Sequence, residues 1–256
     1  MFIIMFILKL GGSILTNKEG WKDADLENIE VLAKTVASEW KKSDRQWIII
    51  HGAGSFGHPL VIKYKINDGV KNTEQKLGAS LTHQSCCELS LLLTAALNKN
   101  GVPAVSLPPA TLIVSKNKRI HSFNTKIIDD YLSSGYLPVL FGDVVPDVEL
   151  GASVCSGDQL VSYLGKKADK IIHATNVDGV LDDKGNVIPK INPSNFHEIS
   201  KHFKSGKNDV TGAMKGKIEE LLLLDTPSFI VNGLKSERLI AVLNGKKTVC
   251  TSVSRV

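Results

Sequence analysis

Two glycine-rich loops, each reached from an apolar run, carry the residues best suited to hold an anion. In the first, Lys9-Leu10-Gly11-Gly12-Ser13 follows the run from Met1 to Leu8, and Lys18 stands a few residues on. In the second, His51-Gly52-Ala53-Gly54-Ser55-Phe56-Gly57-His58 follows Trp47-Ile48-Ile49-Ile50. Gly52, Gly54 and Gly57 allow positive φ and let backbone N–H groups approach a ligand oxygen. A glycine pair, a hydroxyl and two lysines make the Lys9 loop a second anion-binding candidate. Either loop alone is equally compatible with a plain tight turn. Three further stretches add polar groups: Ser156-Gly157-Asp158, Asn176-Val177-Asp178-Gly179-Val180, and Asp209-Val210-Thr211-Gly212-Ala213-Met214-Lys215-Gly216-Lys217. Asp158 is either a functional acid or a first-turn carboxylate favoured by the helix dipole.

The elements that must position these groups alternate between strand and helix. Trp47–Ile50 is short, β-branched and without polar alternation, as in a central parallel strand covered on both faces. Helices are expected from about Asp23 to Lys42, after the Trp47–His58 loop, from about Glu74 to Lys99, from Asn124 as cap through Leu132, from Ser156 as cap through Leu164, from the Asp209–Lys217 stretch through Leu224, and around Glu237–Leu243. Strands are expected at 102–106, 137–141, 170–175, 229–231 and 248–253, and 111–114 and 119–123 form a hairpin. Residues 67–74 read as an exposed lid or a passive insertion, 182–186 as a hairpin turn, and Pro189 and Pro193 as marking irregular chain. The alternation specifies an α/β fold with a mostly parallel central sheet and helices on both faces.

At 256 residues the chain makes one large domain or two lobes sharing a sheet. Its 43% hydrophobic and 22% charged residues are those of an ordinary globular protein. The net charge of +5 comes from scattered lysines, which fits acidic metabolites better than nucleic acid. Four cysteines, Cys86, Cys87, Cys155 and Cys250, lack metal-ligand spacing and point to a reducing compartment. The N-terminal apolar run has no preceding basic residue and is far shorter than the ~20 residues that span a bilayer. A cytoplasmic protein is expected, with neither membrane nor nucleic acid as partner.

Taken in order, Lys9–Ser13, His51–Gly54, Thr175–Val180 and Gly212–Lys217 resemble the amino-acid kinase family over nearly the whole chain. The resemblance implies a three-layer sandwich forming a single domain over 1–256, its N-terminal lobe binding an acceptor and its C-terminal lobe ATP. Within the family, His51–His58 together with Ser156–Asp158 and Asp209–Gly212 resembles members that phosphorylate isopentenyl phosphate with ATP in an alternative mevalonate route. Carried onto matching positions, Lys9, Gly11, Gly12 and Ser13 would hold the ATP phosphates. Lys9 and Lys217 would neutralise the transferring group, and Lys18 would reach that group or the acceptor phosphate. Ala53 would offer its N–H to the acceptor and Gly54 to ATP. His58 would grip the acceptor phosphate, with Gly57 and Gly157 beside it. Asp158 would orient the lysines, and Thr175, Asp178 and Gly179 would line the nucleotide site. Ala213 stands where the family usually has glycine. Mg²⁺ and a homodimer are implied by the same resemblance.

The chemistry suits these residue types. Phosphoryl transfer needs in-line positioning and charge compensation more than covalent chemistry. A phosphomonoester acceptor is already ionised, so no general base is required. Leu77, Leu81 and Leu89 either wall a five-carbon tail or belong to the core. The rival readings are a kinase of the same fold for fosfomycin, another phosphonate or an acidic metabolite, and a regulatory module that binds nucleotide without turnover.

Overall fold

The computed structural model describes residues 4–17, 20–42, 44–202 and 213–255. The first half of the chain runs β1 (Met5–Leu10), α1 (Leu26–Trp40), β2 (Gln46–His51), α2 (Gly54–Lys63), α3 (Thr73–Lys99), β3 (Ala104–Ser106), β4 (Ile113–Lys116), β5 (Arg119–Phe123), α4 (Lys126–Ser133) and β6 (Leu137–Phe141). The second runs β7 (Asp143–Asp147), β8 (Gly151–Cys155), α5 (Gly157–Leu164), β9 (Lys170–Thr175), β10 (Lys190–Ile191), α6 (Pro193–His202), α7 (Ala213–Leu221), β11 (Ser228–Asn232), α8 (Ser236–Leu243) and β12 (Thr251–Val253).

Eight strands form one sheet in the order β10-β12-β11-β9-β1-β2-β6-β3, parallel except for the β11–β12 pair. At its centre Lys9 of β1 pairs with Ile50 of β2 on one side and His173 of β9 on the other. Strand alternation then sorts the side chains. Phe6, Leu8 and Leu10 enter the core made with Ile29, Leu93 and Leu239 of α1, α3 and α8. Ile7 enters the opposite core, with Ile128, Leu160 and Ile218 of α4, α5 and α7. Two helical layers thus cover the sheet, and Lys9 lies on the face of Ile7 at the carboxyl end of its strand. His173 lies likewise on the face of Ile171.

Side-chain caps fix the starts of α5, α3 and α1. Ser156 accepts from Gln159 N at 3.2 Å, Asn72 from Gln75 N at 2.9 Å and Asp25 from Asn28 N at 2.9 Å. The expected mostly parallel sheet with helices on both faces is present, and several details differ. The N-cap of α4 is Thr125 without a side-chain bond, not Asn124. The segment after Gly142 is a hairpin, β7–β8, which joins β4 and β5 in a second, four-stranded sheet. Pro193 opens α6, at a helix start where its missing N–H costs nothing. Residues 67–72 form no lid apart from the body: Val70 N donates to Leu150 O of the hairpin at 2.8 Å, and Asn72 caps α3.

Candidate active site

Three charged side chains from three elements converge at the carboxyl ends of the central strands, where open α/β sheets bind ligands. Lys9 Nζ of β1 donates to Asp158 Oδ1 of α5 at 2.5 Å, and Lys217 Nζ of α7 donates to the same oxygen at 3.3 Å. The lysine side chains are 7% and 10% exposed and the aspartate 21%. Burial alone would raise the Asp158 carboxyl, but the charges of Lys9 and Lys217, with His173, overcome it and hold the group well below the usual carboxylate range. Burial, helped by the neighbouring Lys217 charge, lowers Lys9 to about 7 against the pull of Asp158. The cluster is therefore a compensated set of two cations sharing one anion, not a surface ion pair.

Beside it the two glycine loops pack backbone to backbone. A Cβ on Gly12 would stand 2.5 Å from Gly54 N and 2.6 Å from Gly54 Cα, and one on Gly52 would stand 2.6 Å from Gly12 N. Gly54 itself has φ +50° and lies against Thr16, whose Oγ1 accepts from Ser55 N at 3.0 Å and donates to Gly12 O at 2.9 Å. Gly12→Ala must therefore part the loops. A loss of ~1–3 kcal/mol in stability is expected, measured as a lower urea midpoint; an unchanged midpoint would show that the contact does not matter.

On one flank lie the residues assigned to nucleotide. Ser13 Oγ donates to Asn176 Oδ1 at 3.1 Å, linking the first loop to the turn after β9. Thr175 is buried at the end of β9, and its Oγ1 accepts from Val177 N at 3.2 Å. Asp178 accepts from Asn232 Nδ2 at 2.8 Å and Lys235 Nζ at 3.0 Å and pairs with Arg238 at 2.8 Å, hydrogen bonds that hold its carboxyl below the usual range. A Cβ on Gly179 would meet Thr251 Oγ1 at 2.7 Å. Gly11 lies against Ala174 O and is bonded to it through its N–H at 2.8 Å.

On the other flank lie the residues assigned to the acceptor. Ala53 is the residue before α2, Gly57 is buried in that helix, and His58 is exposed next to it. Gly57 packs on Cys86 of α3: an added Cβ would stand 3.2 Å from its Sγ. A Cβ on Gly157 would meet Lys9 Cε at 3.2 Å, so Gly157 abuts the cluster directly. Pro59 supplies no N–H to Ser55 O, which accepts instead from Lys22 N at 3.4 Å; Ser55 Oγ further accepts from Asp23 N at 3.2 Å. The chain that follows Lys18 is thus fastened to the start of α2. Lys18 itself lies outside the described residues, as do Asp209–Gly212; Ala213 is the first residue of α7.

Of the three leucines weighed for a tail wall, Leu89 belongs to the core beside Leu93, and Leu77 is exposed. The apolar cluster on this flank is instead Val61, Ile66, Val70 and Val144, between α2 and the β7–β8 hairpin. Two groups escaped the sequence reading. Asp143, buried, accepts from Ala110 N at 3.1 Å and Val144 N at 2.8 Å and lies 3.0 Å from His83 Nδ1. His173 lies 3.6 Å through Nδ1 from Asp158 Oδ1. A histidine inside the apolar run Lys170–Thr175 was the available signal.

The model of the amino acid kinase family matches residues 5–225. The chain is 36% identical over 256 residues to an isopentenyl phosphate kinase of Methanocaldococcus jannaschii, covering 95% of this chain and 96% of that protein. It is 35% identical over 258 residues to the isopentenyl phosphate kinase of Methanothermobacter thermautotrophicus, covering 94% and 92%. A crystal structure of isopentenyl phosphate kinase superposes with a TM-score of 0.83 at 32% identity, covering 98% of this chain and 100% of the other. With the parallel sheet, the paired glycine loops and the shared aspartate in place, these likenesses settle the kinship: the chain belongs to the amino acid kinase family.

Proposed function

We propose that this protein transfers the γ-phosphoryl group of ATP to isopentenyl phosphate, forming isopentenyl diphosphate. The observation that carries the reading is the buried Lys9–Asp158–Lys217 cluster set against two interlocked glycine loops. The obstacle in such a reaction is the approach of two anions, whose repulsion at ~4 Å is worth ~4 kcal/mol at an effective dielectric of 20. Lys9 and Lys217 are placed to offset it at the transferring group, with Lys18 completing the set. Asp158 keeps both lysines oriented before phosphate arrives.

In this reading the N-terminal lobe, with Ala53, Gly57, His58 and Gly157, holds the acceptor phosphate. The cluster of Val61, Ile66, Val70 and Val144 walls its hydrocarbon tail. The C-terminal lobe, with Thr175, Asp178, Gly179, Ala213 and Lys217, holds ATP together with Gly11, Gly12, Ser13 and Gly54. The described residues contain no group of three or more metal-ligating side chains, and Asp158 already serves two lysines. Mg²⁺ would accordingly arrive on the nucleotide phosphates, where it spreads their charge. A homodimer and a cytoplasmic location belong to the same reading. The four free cysteines agree with a reducing compartment, and no described helix is long and apolar enough to cross a membrane.

The test is ADP release with Mg-ATP against isopentenyl phosphate, dimethylallyl phosphate, fosfomycin, N-acetylglutamate and glutamate. High kcat/KM for isopentenyl phosphate, alone or with its allylic isomer, is expected. Preference for fosfomycin or an amino acid would overturn the acceptor, and nucleotide binding without turnover would overturn the enzyme.

The cluster also predicts a pH signature. With Lys9 lowered to about 7, the free enzyme loses this cation as pH rises through neutrality. Values of kcat/KM for ATP should therefore fall on the alkaline side, since this ratio reports the free enzyme. At saturation the bound phosphates raise the same pKa, so kcat should hold to higher pH. Coincident alkaline limbs in a pH–rate series would remove Lys9 as their source.

A further inference from the structure

His173 is the one member of the charged cluster to which the reaction as described gives no task. It pairs in register with Lys9 across the β1–β9 ladder. Its ring is 1% exposed, and neither Nδ1 nor Nε2 has a hydrogen-bond partner among the described residues. Burying polar atoms without a hydrogen-bond partner costs stability. Its neighbours along β9, Ile171, Ile172 and Ala174, are apolar and pack without that cost.

The ring's position suggests what it does. Asp158 Oδ1 accepts from Lys9 at 2.5 Å and from Lys217 at 3.3 Å, and His173 Nδ1 waits 3.6 Å from the same oxygen. That separation exceeds a hydrogen bond by roughly 0.5 Å. Both lysines must turn toward phosphate oxygens to act on them, and each turn withdraws a donor from Asp158. An aspartate left alone in this setting would lose its orientation or take up a proton.

We propose that His173 is a positioning residue for phosphoryl transfer: as Lys9 and Lys217 swing to the phosphates, it donates Nδ1–H to Asp158 Oδ1 and keeps the carboxylate in place. The proposal rests on reading the site as a phosphoryl-transfer centre. No proton changes owner; one hydrogen bond replaces another. The exchange suits an uncharged ring, because an imidazolium would be a third cation facing Lys9 and Lys217. Burial, followed by those two lysine charges, holds His173 well below its usual pKa and so keeps it neutral.

Two variants separate this role from packing. His173→Leu fills similar volume without a donor, whereas His173→Asn keeps an amide N–H near the position of Nδ1. A merely structural histidine predicts that Leu, by removing unsatisfied atoms, leaves kcat and Tm unchanged or raised. The positioning role predicts kcat down about tenfold in His173→Leu with both KM values little changed, Tm not lowered, and kcat largely restored in His173→Asn. Wild-type kcat in the leucine variant, or equal losses in both, would overturn it. If His173→Leu does not fold, His173→Val, with a side chain better suited to a strand, takes its place in the comparison.

A second readout does not depend on the acceptor. In wild-type protein with ¹⁵N-labelled histidine, the non-hydrolysable nucleotide AMP-PNP with Mg²⁺ should bring out a slowly exchanging, downfield Nδ1–H resonance that His173→Asn lacks. No such resonance would overturn the proposal. Its appearance in a protein that does not turn over isopentenyl phosphate would leave His173 in its role and remove only the acceptor.

Discussion

Lys217→Ala is expected to lower kcat about 10²–10³-fold, the usual cost of removing one charge-stabilising donor from a closed transfer site, while the protein stays folded. The fold survives because Asp158 keeps Lys9 at 2.5 Å, so no buried carboxylate is orphaned. Catalysis does not, because the lost ammonium is one of the groups that offset charge at the transferring phosphoryl. If Lys217 acts chiefly in the transition state, KM for ATP should move far less than kcat. The variant should also shift the pH profile. The Lys217 charge helps to depress Lys9, so its removal raises the Lys9 pKa and moves the alkaline limb of kcat/KM upward. Lys217→Arg should rescue poorly, since a planar guanidinium does not reproduce the point charge of a compact ammonium. Steady-state kinetics with a thermal melt check all of these, and unchanged turnover would place Lys217 outside the reaction.

The loops around this cluster were legible in the sequence for a physical reason. Gly12 and Gly54 touch backbone to backbone, and no other residue type fits there, so the need is written as residue identity. The buried strands were legible too: 137–141 and 170–175 match β6 and β9, because short runs rich in apolar residues have few other destinations. The β7–β8 hairpin was not. It buries Asp143 and Asp147, and Asp147 is satisfied by Ser153 Oγ at 2.8 Å and by backbone N–H groups such as Lys118 at 2.8 Å. A carboxylate whose partners are distant backbone amides looks in sequence like a solvated one. His173 hides in the same way: its significance comes from the register that sets it beside Lys9 and the helix that brings Asp158 over both. Such meetings are products of topology and leave no spacing to read.

His58→Ala should cut kcat/KM for isopentenyl phosphate by about 10²-fold, the loss of a charge-assisted hydrogen bond to a dianion, and leave KM for ATP nearly unchanged. His58 is exposed in α2, one residue beyond the buried Gly57 and on the helix whose first residue, Gly54, packs against Gly12. The acceptor phosphate, with a second pKa near 6, is chiefly a dianion at neutral pH. An imidazole that gains its proton on meeting such an anion adds both a donor and a charge, whereas a carboxylate acceptor would have less use for it. His58→Gln, which keeps a neutral donor, should recover part of the affinity. Equal losses for ATP and acceptor in the alanine variant would mean that His58 supports the loop as a whole, and acceptor recognition would then rest on Lys18 and the backbone at Ala53.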